Sequence, residues 1–165
     1  MNRTILQEAY EHYYAGLFSY AMYLSGNRAD AEDLVSETFV KAFLSWNGQG
    51  SLRAWLYRVL KNLFIDEVRR KKRFLNEGDK MLAYAEAPPP ENEGIRSEDL
   101  EWLHQKIREM PPADQELLLL TLYSRLSDAE IAAQLKTDPA NVRVRRHRLK
   151  EKLKQQAERE RYDDR

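Results

Sequence analysis

Cysteine is absent from all 165 residues. Disulfides, thiol nucleophiles and thiolate metal sites are therefore excluded. Glycine and proline number only 6 each, and no segment alternates β-branched with polar residues over the length of a strand. Sheets joined by frequent tight turns are not expected. Apolar runs such as Leu117–Leu120 fall far short of the ~20 residues that a membrane helix needs. The first residues, Met1-Asn-Arg-Thr-Ile-Leu6, lack the apolar core of a secretory signal, so a cytoplasmic protein without direct membrane insertion is the expectation. Three histidines, His12, His104 and His147, stand far apart. Each is expected to be exposed or half-buried, and no metal site or acid–base pair follows from them. Without a glycine-rich phosphate loop or a nucleophile motif, neither an enzyme nor a cofactor is expected.

Net charge is missing too: 27 basic residues balance 27 acidic ones. The balance conceals a strong segregation. Residues 46–80 carry nine basic against four acidic side chains, and residues 136–154 carry eight against two. The stretch between them is acidic. Nucleic acid responds to a local cationic field rather than to a whole-chain total, so the layout predicts two separate contacts with one polyanion.

What remains, 33% charged and 42% apolar, suits an all-α chain. Leu6, Tyr10, Tyr13, Leu17, Ala21 and Leu24 recur at helical spacing over about 5–24. Ser25-Gly-Asn27 closes that helix, and Asn27 is placed to cap the next, with Asp30 three residues on. The second helix, to about Phe43, is expected to bury Ala31, Leu34, Val35, Thr38, Phe39 and Ala42. Trp46-Asn-Gly-Gln-Gly-Ser51 breaks it. A basic helix starts at Ser51. Leu52, Trp55, Leu56, Val59, Leu60 and Leu63 line one side, with Arg58, Lys61, Asn62 and Arg69 toward the other. Residues 76–97, rich in proline and acid, predict a flexible linker between two small helical domains, 1–75 and 98–156.

In the second half, Leu100, Leu103, Ile107 and Met110 form a helix stopped by Pro111-Pro112, and another follows over 113–123. Ser127-Asp-Ala-Glu130 fits a capping box opening a helix that buries Ile131, Ala132 and Leu135. After Lys136-Thr137, Asp138 caps a last, basic helix with Pro139 at its first position. Two apolar-faced helices joined by a tight turn, the second basic, predict a helix-turn-helix. The tail, 157–165, is expected to fray.

Three blocks stand in a telling order: Asp30-Ala-Glu-Asp-Leu-Val-Ser-Glu-Thr-Phe-Val-Lys-Ala-Phe43, then Trp55 to Arg70, then the helix-turn-helix from Leu126 to Arg148. Together they resemble a bacterial RNA polymerase sigma factor of the extracytoplasmic-function group, with a region 2 domain, a linker and a region 4 domain. The resemblance covers nearly the whole chain except linker and tail. It implies a transcription initiation factor that binds core polymerase, recognises −35 and −10 elements and helps melt the latter. It also implies an anti-sigma partner and a stress-response setting at the nucleoid.

Site residues follow from the same resemblance. Asp30, Glu32, Asp33, Leu34, Ser36, Glu37 and Phe39 would dock on the clamp coiled coil of the largest polymerase subunit. Ser36 stands where the family commonly has glutamine. Trp46, Asn47, Gln49 and Ser51 would capture an unpaired −10 base, with Arg58, Lys61, Asn62, Arg69, Arg70 and Lys71 on strand and phosphates. Asn141, Arg143, Val144, Arg145, His147 and Arg148 would enter the −35 major groove, with Lys136 and Lys150 on phosphates. Ala140-Asn141 replaces the family's frequent Gly-Thr, and Arg146 sits where an apolar residue usually completes the seam of Val142, Leu149 and Leu153. The competing reading is a stand-alone dimeric helix-turn-helix regulator, which would read an inverted repeat instead of two different elements.

Overall fold

Helix boundaries fall where side-chain caps are available. The structure, a computed structural model, describes residues 1–75 and 97–163. Among them are seven helices and no strand: α1 (Arg3–Ser25), α2 (Arg28–Ser45), α3 (Leu52–Leu75), α4 (Ser97–Arg108), α5 (Pro112–Tyr123), α6 (Asp128–Leu135) and α7 (Pro139–Asp163). None of the described helices is long and apolar enough to cross a membrane. The chain divides into two compact units, Met1–Glu101 and Trp102–Arg165, with the boundary inside α4. The expected linker, 76–97, lies outside the described residues apart from its last position.

In the first unit, Asn2 Oδ1 accepts the Ile5 N–H to start α1, and Gly26 ends it at φ +77°, a left-handed conformation that suits glycine. Asn27 follows at once as the cap of α2, accepting the Asp30 N–H at 2.8 Å while its amide donates to Asp30 Oδ2 at 2.6 Å. So tight a turn forces α1 and α2 into an antiparallel hairpin. Leu17, Tyr20, Tyr23 and Leu24 of α1 are buried. So are all six expected residues of α2, whose Thr38 hydroxyl donates to the Leu34 carbonyl at 2.7 Å and so carries no unpaired polar group. On α3 the buried line is Leu56, Tyr57, Leu60 and Leu63. Trp55 and Val59, expected on that line, are only half-buried, because the Tyr57 ring packs against Tyr20 at 5.6 Å and rolls the helix toward it.

The second unit is built around α5. Its four consecutive leucines, Leu117 to Leu120, are all buried, the mark of a helix covered on every side. Pro111 and Pro112 end α4 and open α5, and Gln115 Nε2 donates to the Met110 carbonyl at 2.7 Å, occupying an acceptor that a helix end leaves open. Ile107 and Met110 are buried and Leu103 is half-buried. The capping box of α6 forms in full, Ser127 Oγ accepting the Glu130 N–H at 3.2 Å and Glu130 Oε1 accepting the Ser127 N–H at 3.2 Å. Ile131 and Ala132 are buried, whereas Leu135 is half-buried beside the turn. Lys136 makes that turn at φ +57°. Asp138 Oδ1 accepts the Asn141 N–H at 2.8 Å and opens α7. Replacing Ser127 by alanine should lower the unfolding free energy of this unit by about 1 kcal/mol, read as a shift in urea midpoint with unchanged slope.

Two expectations fail here. His104 is buried, 2% exposed, with its Nε2 2.5 Å from the Tyr123 hydroxyl. Burial, with the Arg108 charge added, pushes its pKa down to about 4. Nor does helical structure stop at residue 156, where the tail was expected to begin: among the described residues α7 continues to Asp163. Glu160 on its last turns accepts from Lys106 Nζ at 2.9 Å and from the Trp102 indole N–H, both on α4.

Candidate nucleic-acid interface

The seam of α7 is set by Val142 and Leu153, both buried, with Leu149 half-buried between them. At ~100° per residue, Arg145 lies about 60° from that seam and Arg146 about 40° from it, whereas Val144, His147 and Arg148 point away. The side chains follow this geometry. Asn141, Arg143, Val144, His147, Arg148 and Lys150 are exposed, as is Lys136 in the turn. Arg145 is not: its Nη2 donates to Asp114 Oδ1 of α5 at 2.7 Å. Arg146, which replaces an apolar seam residue, bonds Asp128 Oδ1 at 2.7 Å and donates its Nε to Thr121 Oγ1 at 3.2 Å. Its stem lies along the seam while its guanidinium is satisfied at the edge. Asn141 is oriented by donating its amide to Thr137 Oγ1 at 2.8 Å.

In the first unit, the segment between α2 and α3 is a small turn built on two left-handed glycines, Gly48 at φ +79° and Gly50 at φ +76°. Space around both is open, so their value is conformational. Asn47 Oδ1 accepts the Gln49 N–H at 3.0 Å, and Ser51 Oγ accepts the Ala54 N–H at 3.1 Å as the cap of α3. Trp46 is half-buried edge-on to Trp55, 5.9 Å between rings. Along α3, Arg58, Asn62, Arg69, Arg70 and Lys71 are exposed and Lys61 is half-buried. Arg70 pairs with Glu67 at 2.8 Å, and Lys71 approaches Asp30 at 3.8 Å. Both pairs are too exposed to hold these cations firmly.

The α2 residues divide along its apolar period. Leu34 and Phe39 are buried, Asp30 is engaged with its cap Asn27, and Glu32 pairs with Arg28 at 2.9 Å. Asp33, Ser36 and Glu37 are exposed. Their stripe continues through Val40, 56% exposed, to Leu44, 74% exposed. Beside it, Leu6, Tyr10, Phe39, Val40, Phe43 and Leu44 line a groove of about 660 Å³. Tilted aromatic contacts extend this surface along α1, from Phe39 to Tyr10 at 5.0 Å and on to Tyr14 at 5.0 Å. An acidic stripe running into an exposed apolar one is a protein-docking surface in miniature. Its apolar half was overlooked in the sequence because Val40 lies outside the apolar period that marks the core and Leu44 lies beyond the expected end of the helix.

Comparison with known proteins fits both halves of the chain. The family model for Sigma-70 region 2 matches residues 9–74, and that for Sigma-70 region 4 matches residues 100–153. The ECF RNA polymerase sigma factor SigE of Mycolicibacterium smegmatis is 36% identical over 84% of this chain, which spans 56% of that protein's length. The RNA polymerase sigma factor YlaC of Bacillus subtilis is 29% identical over 99% of this chain and 98% of its own. SigW of the same organism, an ECF sigma factor, is 31% identical over 79% of this chain and 77% of its own. Among solved structures, the sigma factor RpoE of Bartonella quintana, in complex with the anti-sigma factor NepR, superposes with a TM-score of 0.70 at 28% identity, covering 93% of this chain and 98% of that one. CnrH, solved with the cytosolic domain of CnrY, shares the fold at a TM-score of 0.65 and 21% identity, over 95% of this chain and 90% of its own. With both regions matched in order, and relatives of this identity spanning most of its length, the chain belongs to the extracytoplasmic-function RNA polymerase sigma factors.

Proposed function

We propose that this protein carries core RNA polymerase to promoters with two separate elements, holding −35 duplex with α7 and trapping opened −10 DNA with α3 and the turn before it. The observation behind this reading is one exposed cationic helix face in each of two units, in a chain with no net charge to spare. Asn141, Val144 and Arg148 face the −35 bases, with Arg143 and His147 flanking and Lys136 and Lys150 on phosphates. In the first unit, the Gly48–Gly50 turn with Asn47, Gln49 and Ser51 forms the base pocket and Trp46 its wall. Arg58, Lys61, Asn62, Arg69, Arg70 and Lys71 follow the strand. Binding energy for the unstacked base offsets the cost of melting, so the protein needs no nucleotide hydrolysis and no catalytic group of its own. Two tethered contacts raise each other's effective concentration, which leaves the isolated chain a weak promoter binder.

Core polymerase docks through Asp33, Ser36 and Glu37, continued by Val40 and Leu44, onto the clamp coiled coil of the largest subunit. An anti-sigma protein, as in the Bartonella complex, is the expected antagonist, and the cytoplasm, at the nucleoid, the expected location. Transcription with purified core polymerase on genomic fragments tests the whole reading. Start sites that depend on the chain, each with two elements at fixed spacing, are the expected result. No dependent start sites, together with dimeric binding to inverted repeats, would instead establish a stand-alone regulator.

A further inference from the structure

The helices beneath α7 hold part of its basic charge out of reach. Asp114, in the first turn of α5, takes Arg145 at 2.7 Å, with the two side chains only 24% and 29% exposed. Asp128, the first residue of α6, takes Arg146 at 2.7 Å on one oxygen and approaches Arg143 at 3.7 Å with the other. Thr121 on α5 completes the hold on Arg146. Both acids sit at helix N-termini, where negative charge is favoured without any partner. Each arginine therefore meets a carboxylate whose charge is already favoured where it stands. Charge-assisted bonds of this length, partly shielded from water, are among the stronger polar contacts in a protein.

We propose that Asp114 and Asp128 are positioning residues for promoter reading. They withhold Arg145 and Arg146 from DNA, so that discrimination between bases falls to Asn141, Val144 and Arg148. The proposal rests on the reading of α7 as the −35 helix. It reassigns Arg145, which the resemblance placed among the base readers. An arginine released at this edge is a long, mobile cation beside a polyanion. It adds a phosphate contact that no base sequence controls. Specific binding then falls relative to non-specific binding even as total affinity rises.

The test uses the full chain assembled with core polymerase on promoter DNA randomised over the upstream element, at several salt concentrations. Arg145→Met keeps the stem and removes the charge. It is expected to keep the wild-type base preference and the wild-type slope of log affinity against log salt. Asp114→Asn and Asp128→Asn are expected to steepen that slope by about 1 and to lower the ratio of specific to random binding severalfold. Arg148→Ala is expected to lose discrimination at one base position by about tenfold. The inference is overturned if Arg145→Met relaxes preference at one position tenfold, or flattens the slope by about 1, while Asp114→Asn changes neither. Should Asp114→Asn fail to fold, Arg145→Met decides alone, since a base reader and a withheld arginine predict opposite results for it. A wild-type holoenzyme indifferent to the upstream element would overturn the −35 reading and this inference together. A selective wild type whose preference collapses in Arg145→Met overturns this inference alone.

Discussion

Changing Val40 and Leu44 together to aspartate should abolish binding to core polymerase while leaving the thermal unfolding of the chain within a degree or two of wild type. The two side chains are 56% and 74% exposed, so they contribute little to the fold, and surface changes of this kind usually move stability by less than about 0.5 kcal/mol. Their place in line with Asp33 and Glu37 makes them the apolar centre of a surface whose acidic rim the sequence already showed. Apolar anchors at an interface centre cost about 2 kcal/mol or more each when lost, so the pair amounts to roughly a thousandfold in affinity. Fluorescence anisotropy of labelled chain titrated with core measures it, and affinity within threefold of wild type would remove these residues from the interface. Leu34→Ala is the informative contrast. Leu34 is 7% exposed, so its loss acts through the fold, at about 2–5 kcal/mol of stability.

Acidification should destabilise the second unit through His104. The folded unit holds this ring neutral, with a pKa of about 4, whereas in the unfolded chain it takes up a proton near pH 6.5. Below pH 6.5 the unfolded state therefore binds more protons, and stability falls as pH falls. The contribution is fully present above pH 6.5 and is lost progressively down to about pH 4, for a total on the order of 3 kcal/mol. Urea unfolding of the full chain at pH 7, 5.5 and 4.5 should show the loss. His104→Gln keeps a polar partner for the Tyr123 hydroxyl but cannot titrate, so its stability should vary less across that window. An identical pH dependence in the variant would place the acid sensitivity elsewhere.

Much of the fold was legible because its signals are local. Asn27, Ser127 and Asp138 each cap the helix that their spacing predicted. The buried side of α2 matched its apolar period residue for residue, since one stripe on a two-sided helix leaves little freedom. What could not be read was set by distant partners. Tyr57 is buried because Tyr20 meets it from another helix, and His104 because Tyr123 supplies its polar partner. On α7 the difference has a geometric cause. The resemblance grouped Arg145 with the outward residues, whereas α7 packs on Val142 and Leu153, which leave Arg145 on the flank and on a carboxylate 31 residues away in the chain. Val40 and Leu44 were passed over because the apolar period marks only the core: Val40 falls off it among acidic residues and Leu44 beyond the expected helix end, and an apolar residue so placed is itself the signal of a docking face.

The grip of Glu160 on Lys106 and Trp102 has a mechanical corollary for the opposite end of α7. A 25-residue helix is a rod of ~37 Å, and a rod pivoting at one point through about 5° swings its far tip by ~3 Å, the span of a hydrogen bond. Supported at its distal end as well as along the seam, the rod cannot swing so freely. The direction of Asn141 and Val144 is thus steadied by an ion pair several helical turns away.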